Sequence, residues 1–108
     1  MSPEEFIEFA SSATKEQLFE FANSLEIGAE YDYYSKSHWG HNFEPTDRHI
    51  GEYVHRACVF SQKVLKVGDI LLCNSSSGRV GKYLILNLEQ MRNPRDQFFV
   101  WIVCCGYK

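Results

Sequence analysis

The chain reads as an α+β domain: three mainly N-terminal helices packed on a C-terminal antiparallel sheet of three to five strands, which can curl into a small barrel. Residues 1–25 hold two helix-start signatures, each followed by apolar residues at helical spacing. A third helical pattern follows Pro45, and from Lys66 onward apolar residues come in short β-type runs separated by turns. With 108 residues the chain can build one modest core. Residues 1–64, mainly helical, and 65–108, a β meander, are therefore taken as parts of a single domain.

The first two helices are announced by a near-repeat. Ser2 to Ser12 aligns with Thr14 to Ser24 at an offset of 12 residues. Each copy opens with a capping box, Ser2 with Glu5 and Thr14 with Gln17, which satisfies two orphan N–H groups reciprocally. Pro3 suits the first helical position, where no N–H is needed. Phe6, Ile7, Phe9 and Ala10 mark the first helix, and Leu18, Phe19, Ala22 and Leu25 the second. Gly28 is a natural stop just beyond it. Two copies are too few for a solenoid, so the repeat records similar local physics.

Thr46 or Asp47 would cap the third helix. Ile50, Val54, Ala57 and Val64 fit about four turns, weakened by Gly51. A strand over 53–60 is the competing reading, and the helix is preferred. Beyond it, Val67 to Cys73, Lys82 to Leu88 and Gln97 to Cys105 read as three strands, with a loop at 74–81 and a turn at 92–96 around Pro94. Short links between them imply an antiparallel meander. The last strand is apolar on both faces, so it belongs inside the sheet.

No apolar run approaches the ~20 residues of a membrane helix. The start, Met1-Ser2-Pro3-Glu4-Glu5, lacks the basic region of a signal peptide, and a cytoplasmic domain is expected. The net charge of −3 hides a division. Residues 1–54 carry 3 basic and 11 acidic residues, a net of −8, and residues 55–108 carry 8 basic and 3 acidic, a net of +5. Cys58, Cys73, Cys104 and Cys105 contain no C-x-x-C and are expected as reduced thiols. Cys104 and Cys105, adjacent on a strand, must face opposite ways.

Residues 29–46 concentrate aromatic side chains. Tyr31, Tyr33, Tyr34, Trp39 and Phe43 are the candidate partner-binding residues, because Tyr and Trp combine contact area with a polar tip. Their alternative role is to cover the core. A short strand over 30–35 fits the alternation there. His38 and His41, with His49, Asp32 or Asp47, would be needed for a metal centre or a small metal-dependent hydrolase. The set lacks H-E-x-x-H and any nearby cysteine, so no metal, no cofactor and no catalytic residue is assigned. His49 is expected to face solvent and His55 the interior. Arg79, Lys82, Arg92 and Arg95, in the two C-terminal turns, are the residues a nucleic-acid-binding alternative would use. Gly78 to Tyr83 fails the Walker A pattern, since Tyr83 follows Gly81-Lys82 and a strand follows the loop. It also resembles the G-x-x-G of KH domains, but that loop joins two helices.

Three C-terminal motifs, Gly68-Asp69-Ile70-Leu71, Ser77-Gly78-Arg79-Val80-Gly81-Lys82-Tyr83 and Asn93-Pro94-Arg95-Asp96-Gln97-Phe98-Phe99, resemble a pattern in small uncharacterised proteins of tailed bacteriophages. There a GD-hydrophobic strand, an SGK-x-G-x-Y hairpin and a DP-x-D-x-FF turn form a compact sheet. Arg79 stands where that pattern has Lys, and Asn93 where it has Asp. The resemblance implies a phage-encoded accessory factor that acts on a host protein complex, such as an inhibitor of a defence system (anti-CRISPR activity included) or of a nucleic-acid-processing complex. With no paired carboxylates and no nucleophile–base motif, the expected function is non-enzymatic protein binding.

Overall fold

The computed structural model describes residues 1–33, 43–61, 63–74, 78–91 and 97–108. Among these residues two helices, α1 (Pro3–Ser12) and α2 (Lys15–Ser24), precede six strands: β1 (Glu30–Asp32), β2 (Phe43–Ile50), β3 (Val54–Phe60), β4 (Ile70–Asn74), β5 (Val80–Gln90) and β6 (Gln97–Tyr107). Both capping boxes form: Ser2 and Thr14 accept from the Glu5 and Gln17 N–H groups, whose side chains accept from the cap N–H.

The described strands make one sheet in the order β1-β4-β5-β6-β3-β2. The expectation of three helices on a smaller sheet is overturned. The segment assigned to the third helix is the β2–β3 hairpin, antiparallel with Ile50 opposite Val54. Its three-residue turn starts at Gly51, which has φ +62°. The spacing of Ile50, Val54 and Ala57 satisfied a helical template by coincidence. What decides the conformation is β6: its two apolar faces place it inside the sheet, and its buried backbone edges then need a strand on each side. β5 takes one edge and β3 the other, along Val54–Phe60. Thr46, expected as a helix cap, closes a register shift in β2 instead. Its hydroxyl donates to the Arg56 carbonyl at 3.0 Å and accepts from the Arg48 N–H at 3.2 Å, the same local bonding that makes threonine a good cap.

The sheet has two apolar faces. The helices cover one, where Phe6, Ala10, Leu18 and Ala22 pack on Val54, Leu72, Leu84, Leu86, Trp101 and Val103. The other face curls around a second core of Val59, Leu65, Leu71, Ile85, Phe98 and Val100. A bulge at Leu86 lets β5 serve both. Leu86 packs under the helices, buried Asn87 donates to the Met1 carbonyl at 3.1 Å, and Leu88 packs against the second core.

The junction between the helical segment and the sheet is built on Asp69, which is 0 % exposed. Its carboxylate accepts from the Ala29 N–H at 3.1 Å and the Lys66 N–H at 2.9 Å, and its backbone carbonyl accepts from the Ile85 N–H at 2.9 Å. Gly28, expected as a helix stop, is not one: α2 already ends at Ser24 with Leu25 as its C-cap. Gly28 lies where Asp69 allows no Cβ, and its N–H donates to the Gly68 carbonyl at 2.9 Å. Gly68 has φ +97° and backs onto the Glu26 carbonyl. The Gly68-Asp69 motif therefore has a structural explanation: a glycine for close approach, then a buried acceptor that gathers three segments.

Candidate protein-binding surface

The aromatic residues expected to meet a partner are largely committed to the fold. Tyr31, Tyr33 and Phe43 are half-buried and pack against the second core, together with Tyr83, which the sequence marked only as part of a strand. The Phe43 ring lies 6.4 Å from that of Tyr33 and 6.3 Å from that of Tyr83. Phe43 stands on one edge strand of the sheet and Tyr33 follows the other, so this contact brings the two edges of the curl together. The Tyr33 hydroxyl donates to the Phe60 carbonyl at 3.0 Å. Burial pushes the Tyr33 hydroxyl up to about 12, and moves Tyr31 and Tyr83 in the same direction. Tyr34 and Trp39 lie outside the described residues, as do His38 and His41.

The two described basic residues of the nucleic-acid alternative are engaged. The Arg79 guanidinium lies over the Tyr107 ring at 4.6 Å, and Lys82 Nζ is 3.6 Å from a Glu30 carboxylate oxygen. Arg92 and Arg95 lie outside the described residues. Among the described residues no group of three or more His, Cys, Asp or Glu side chains is gathered. Asp32, Asp47 and His49 are each exposed, on the two edge strands. His55, expected inside, is exposed as well. It stands opposite His49 near the end of the hairpin, where no further described strand pairs with β2.

The free surface lies on the helical layer. Glu4, Glu5 and Glu8 on α1, Glu16 and Glu20 on α2, and Glu26 just after it are all exposed. None of the six is in an ion pair among the described residues. Hydrogen bonding to the Ser2 backbone and hydroxyl holds the Glu5 carboxyl below its ordinary value, which keeps its charge. Lys15 is the one basic residue before position 36, and its ammonium lies 5.3 Å from the Tyr53 ring centre and 6.0 Å from that of Phe19.

Beside this face, a cleft of about 540 Å³ opens between α1 and the irregular part of β2. Ile7 and Ser11 form one wall, Ile50 and Trp101 the apolar floor, and Asp47, Arg48 and His49 the rim. By sequence Ile7 belongs with the apolar stripe of α1. It lies off the buried face of Phe6 and Ala10 and is 39 % exposed. Glu4, Ile7 and Ser11 follow one ridge of the helix, so the acidic surface runs directly into the cleft. This juxtaposition was invisible in the sequence, because it needs β2 to be a strand.

The four cysteines are free, with Cys58 and Cys73 buried, Cys104 half-buried and Cys105 exposed. Cys105 is the extra residue of a bulge between β5 and β6. No described helix is long and apolar enough to cross a membrane. No family model matches the chain, and neither a similar curated protein nor a similar solved structure was found.

Proposed function

We propose that the protein is a non-enzymatic protein-binding module that docks onto a basic surface of another protein through its helical face. The observation that carries this reading is the set of six exposed glutamates on one layer, none of them in an ion pair among the described residues, continuous with a cleft floored by Ile50 and Trp101. Fixed negative charge steers encounter with a basic partner, and an apolar recess takes an anchoring side chain. The same charge repels a polyanion. Glu30 and the Tyr107 ring already engage the two described cations that would grip phosphate, Lys82 and Arg79. The likeness to tailed-phage proteins supplies a setting: a cytoplasmic, phage-encoded factor acting on a host defence or nucleic-acid-processing complex, where a nucleic-acid groove offers the basic surface.

The test is affinity capture from bacterial lysate with the wild-type chain and with a Glu4→Gln/Glu8→Gln/Glu16→Gln/Glu20→Gln variant. The expected result is a host protein retained by the wild type, released by raised salt and absent from the variant, with no DNA or RNA bound at physiological ionic strength. Equal capture by both chains, or nucleic-acid binding abolished by Arg79→Ala/Lys82→Ala, would overturn it.

A further inference from the structure

His49 and His55 stand directly opposite each other in the β2–β3 pairing. Both are exposed, and their ring centres are 6.3 Å apart. Opposed residues of an antiparallel pair share a face, with Cβ atoms about 4.5–5.5 Å apart. Nδ1 of His49 lies 2.8 Å from the Gly51 carbonyl oxygen. A carbonyl can only accept, so Nδ1 carries the proton and Nε2 of the neutral ring keeps its lone pair. Histidine ligands of metals are commonly held this way, one nitrogen bonded to a backbone carbonyl and the other left to coordinate. The hairpin turn itself supplies that carbonyl, so the ring is oriented before any ion arrives.

We propose that His49 and His55 form a two-histidine site for a divalent transition-metal ion of the zinc, nickel and copper class. Imidazole is a ligand these ions share. Metal–nitrogen bonds of about 2.0–2.1 Å require the rings to stand somewhat closer than they do, which rotation of the exposed His55 side chain provides while His49 keeps its bond to Gly51. No third His, Cys, Asp or Glu joins them among the described residues, and the two exposed rings leave the remaining positions open to water. Because its ligands come from neighbouring strands, the ion ties the edge strand β2 to β3. It binds the folded hairpin in preference to the unfolded chain and so stabilises it.

The test is a zinc titration of the metal-free chain carrying Cys105→Ser, which removes the exposed thiol as a competitor. It is followed by the imidazole NMR signals and by the melting temperature. The His49 and His55 signals should shift together and saturate at one ion per chain, and the melting temperature should rise. His49→Ala and His55→Ala should each weaken binding at least about tenfold; His55→Ala should leave the metal-free melting temperature unchanged, whereas His49→Ala also loses the bond to the Gly51 carbonyl and should lower it slightly. Unchanged affinity in His55→Ala, a shift of one ring without the other, or no imidazole shift at millimolar zinc would overturn the proposal.

Discussion

The Asp69 carboxylate occupies the space in which a side chain at position 28 would begin: a Cβ built on Gly28 falls on Asp69 Oδ1. This relationship locks the segment leaving α2 against the start of β4, and Ala29 and Lys66 complete the lock by donating to the same carboxylate. Gly28→Ala should therefore displace Asp69 and destabilise the protein by about 2–4 kcal/mol, combining overpacking with a disturbed buried acceptor. Gly51→Ala, at a positive φ but with nothing near its Cβ, should cost only about 1 kcal/mol. Urea denaturation of the two variants would separate steric from conformational cost. Equal losses would remove Asp69 from the explanation.

Asp69→Ala removes the buried acceptor of two part-buried N–H groups, those of Ala29 and Lys66. Bonds to charged groups are worth about 1.5–3 kcal/mol each, so a loss of about 3 kcal/mol or more is expected. Asp69→Asn, which keeps one acceptor oxygen, should lose less. The melting temperatures of the two variants give the order.

Strand β6 separates its two neighbouring phenylalanines sharply. Phe98 is 1 % exposed within the second core, and its truncation to alanine should cost about 3–5 kcal/mol. Phe99 faces the other side, half-buried, with the Arg56 guanidinium 4.0 Å from its ring centre. Phe99→Ala should cost about 1–2 kcal/mol, from partial burial and the cation–π contact. Chemical denaturation of both variants would check the ratio, and a larger loss at Phe99 would contradict the assignment of faces.

Alkaline pH should unfold the protein through its buried acids. Burial raises the Tyr33 hydroxyl from 10.0 to about 12, and the Cys73 thiol from 9.0 to about 12. Both are neutral in the fold and ionise more readily when unfolded. Their contribution is thus complete below pH 9–10 and is lost as the pH rises through about 12. The urea midpoint should fall over that window. Tyr33→Phe should flatten the part above pH 10, while costing about 1 kcal/mol at neutral pH through the lost bond to Phe60.

Thiol reactivity should follow position in the sheet. Cys105 is exposed at its bulge and Cys73 is buried with a raised pKa, so a disulfide reagent at neutral pH should label Cys105 first and Cys73 only on unfolding. Burial and the neighbouring Cys104 also raise the Cys105 thiol, and its labelling should be slower than that of a free cysteine. Mass spectrometry after partial labelling gives the order directly.

The two N-terminal helices and the three C-terminal strands were legible because their signals are local. A capping box needs only residues three apart, and Gln97 to Cys105 is too uniformly apolar and β-branched for a surface loop. The second half of the candidate surface was not legible. The acidic residues are plain in the sequence, but their neighbourhood with Ile50, Trp101 and the rim at 47–49 depends on which strand lies beneath α1. The aromatic stretch is a parallel case. Its composition was plain, but that Tyr31, Tyr33 and Phe43 pack against the second core came only with the sheet.

By itself the sequence determined two capped helices, a β meander at the C-terminal end and an acidic N-terminal half. Each follows from short-range bonding, periodicity or charge. Tertiary structure alone decided that 43–60 is a hairpin, that β1 runs parallel to β4, and that Gly28 and Asp69 meet across 41 positions of chain. The physical reason is that a strand's conformation depends on partners distant in sequence. The helical spacing of Ile50, Val54 and Ala57 could not outweigh the demand of β6 for a second neighbour.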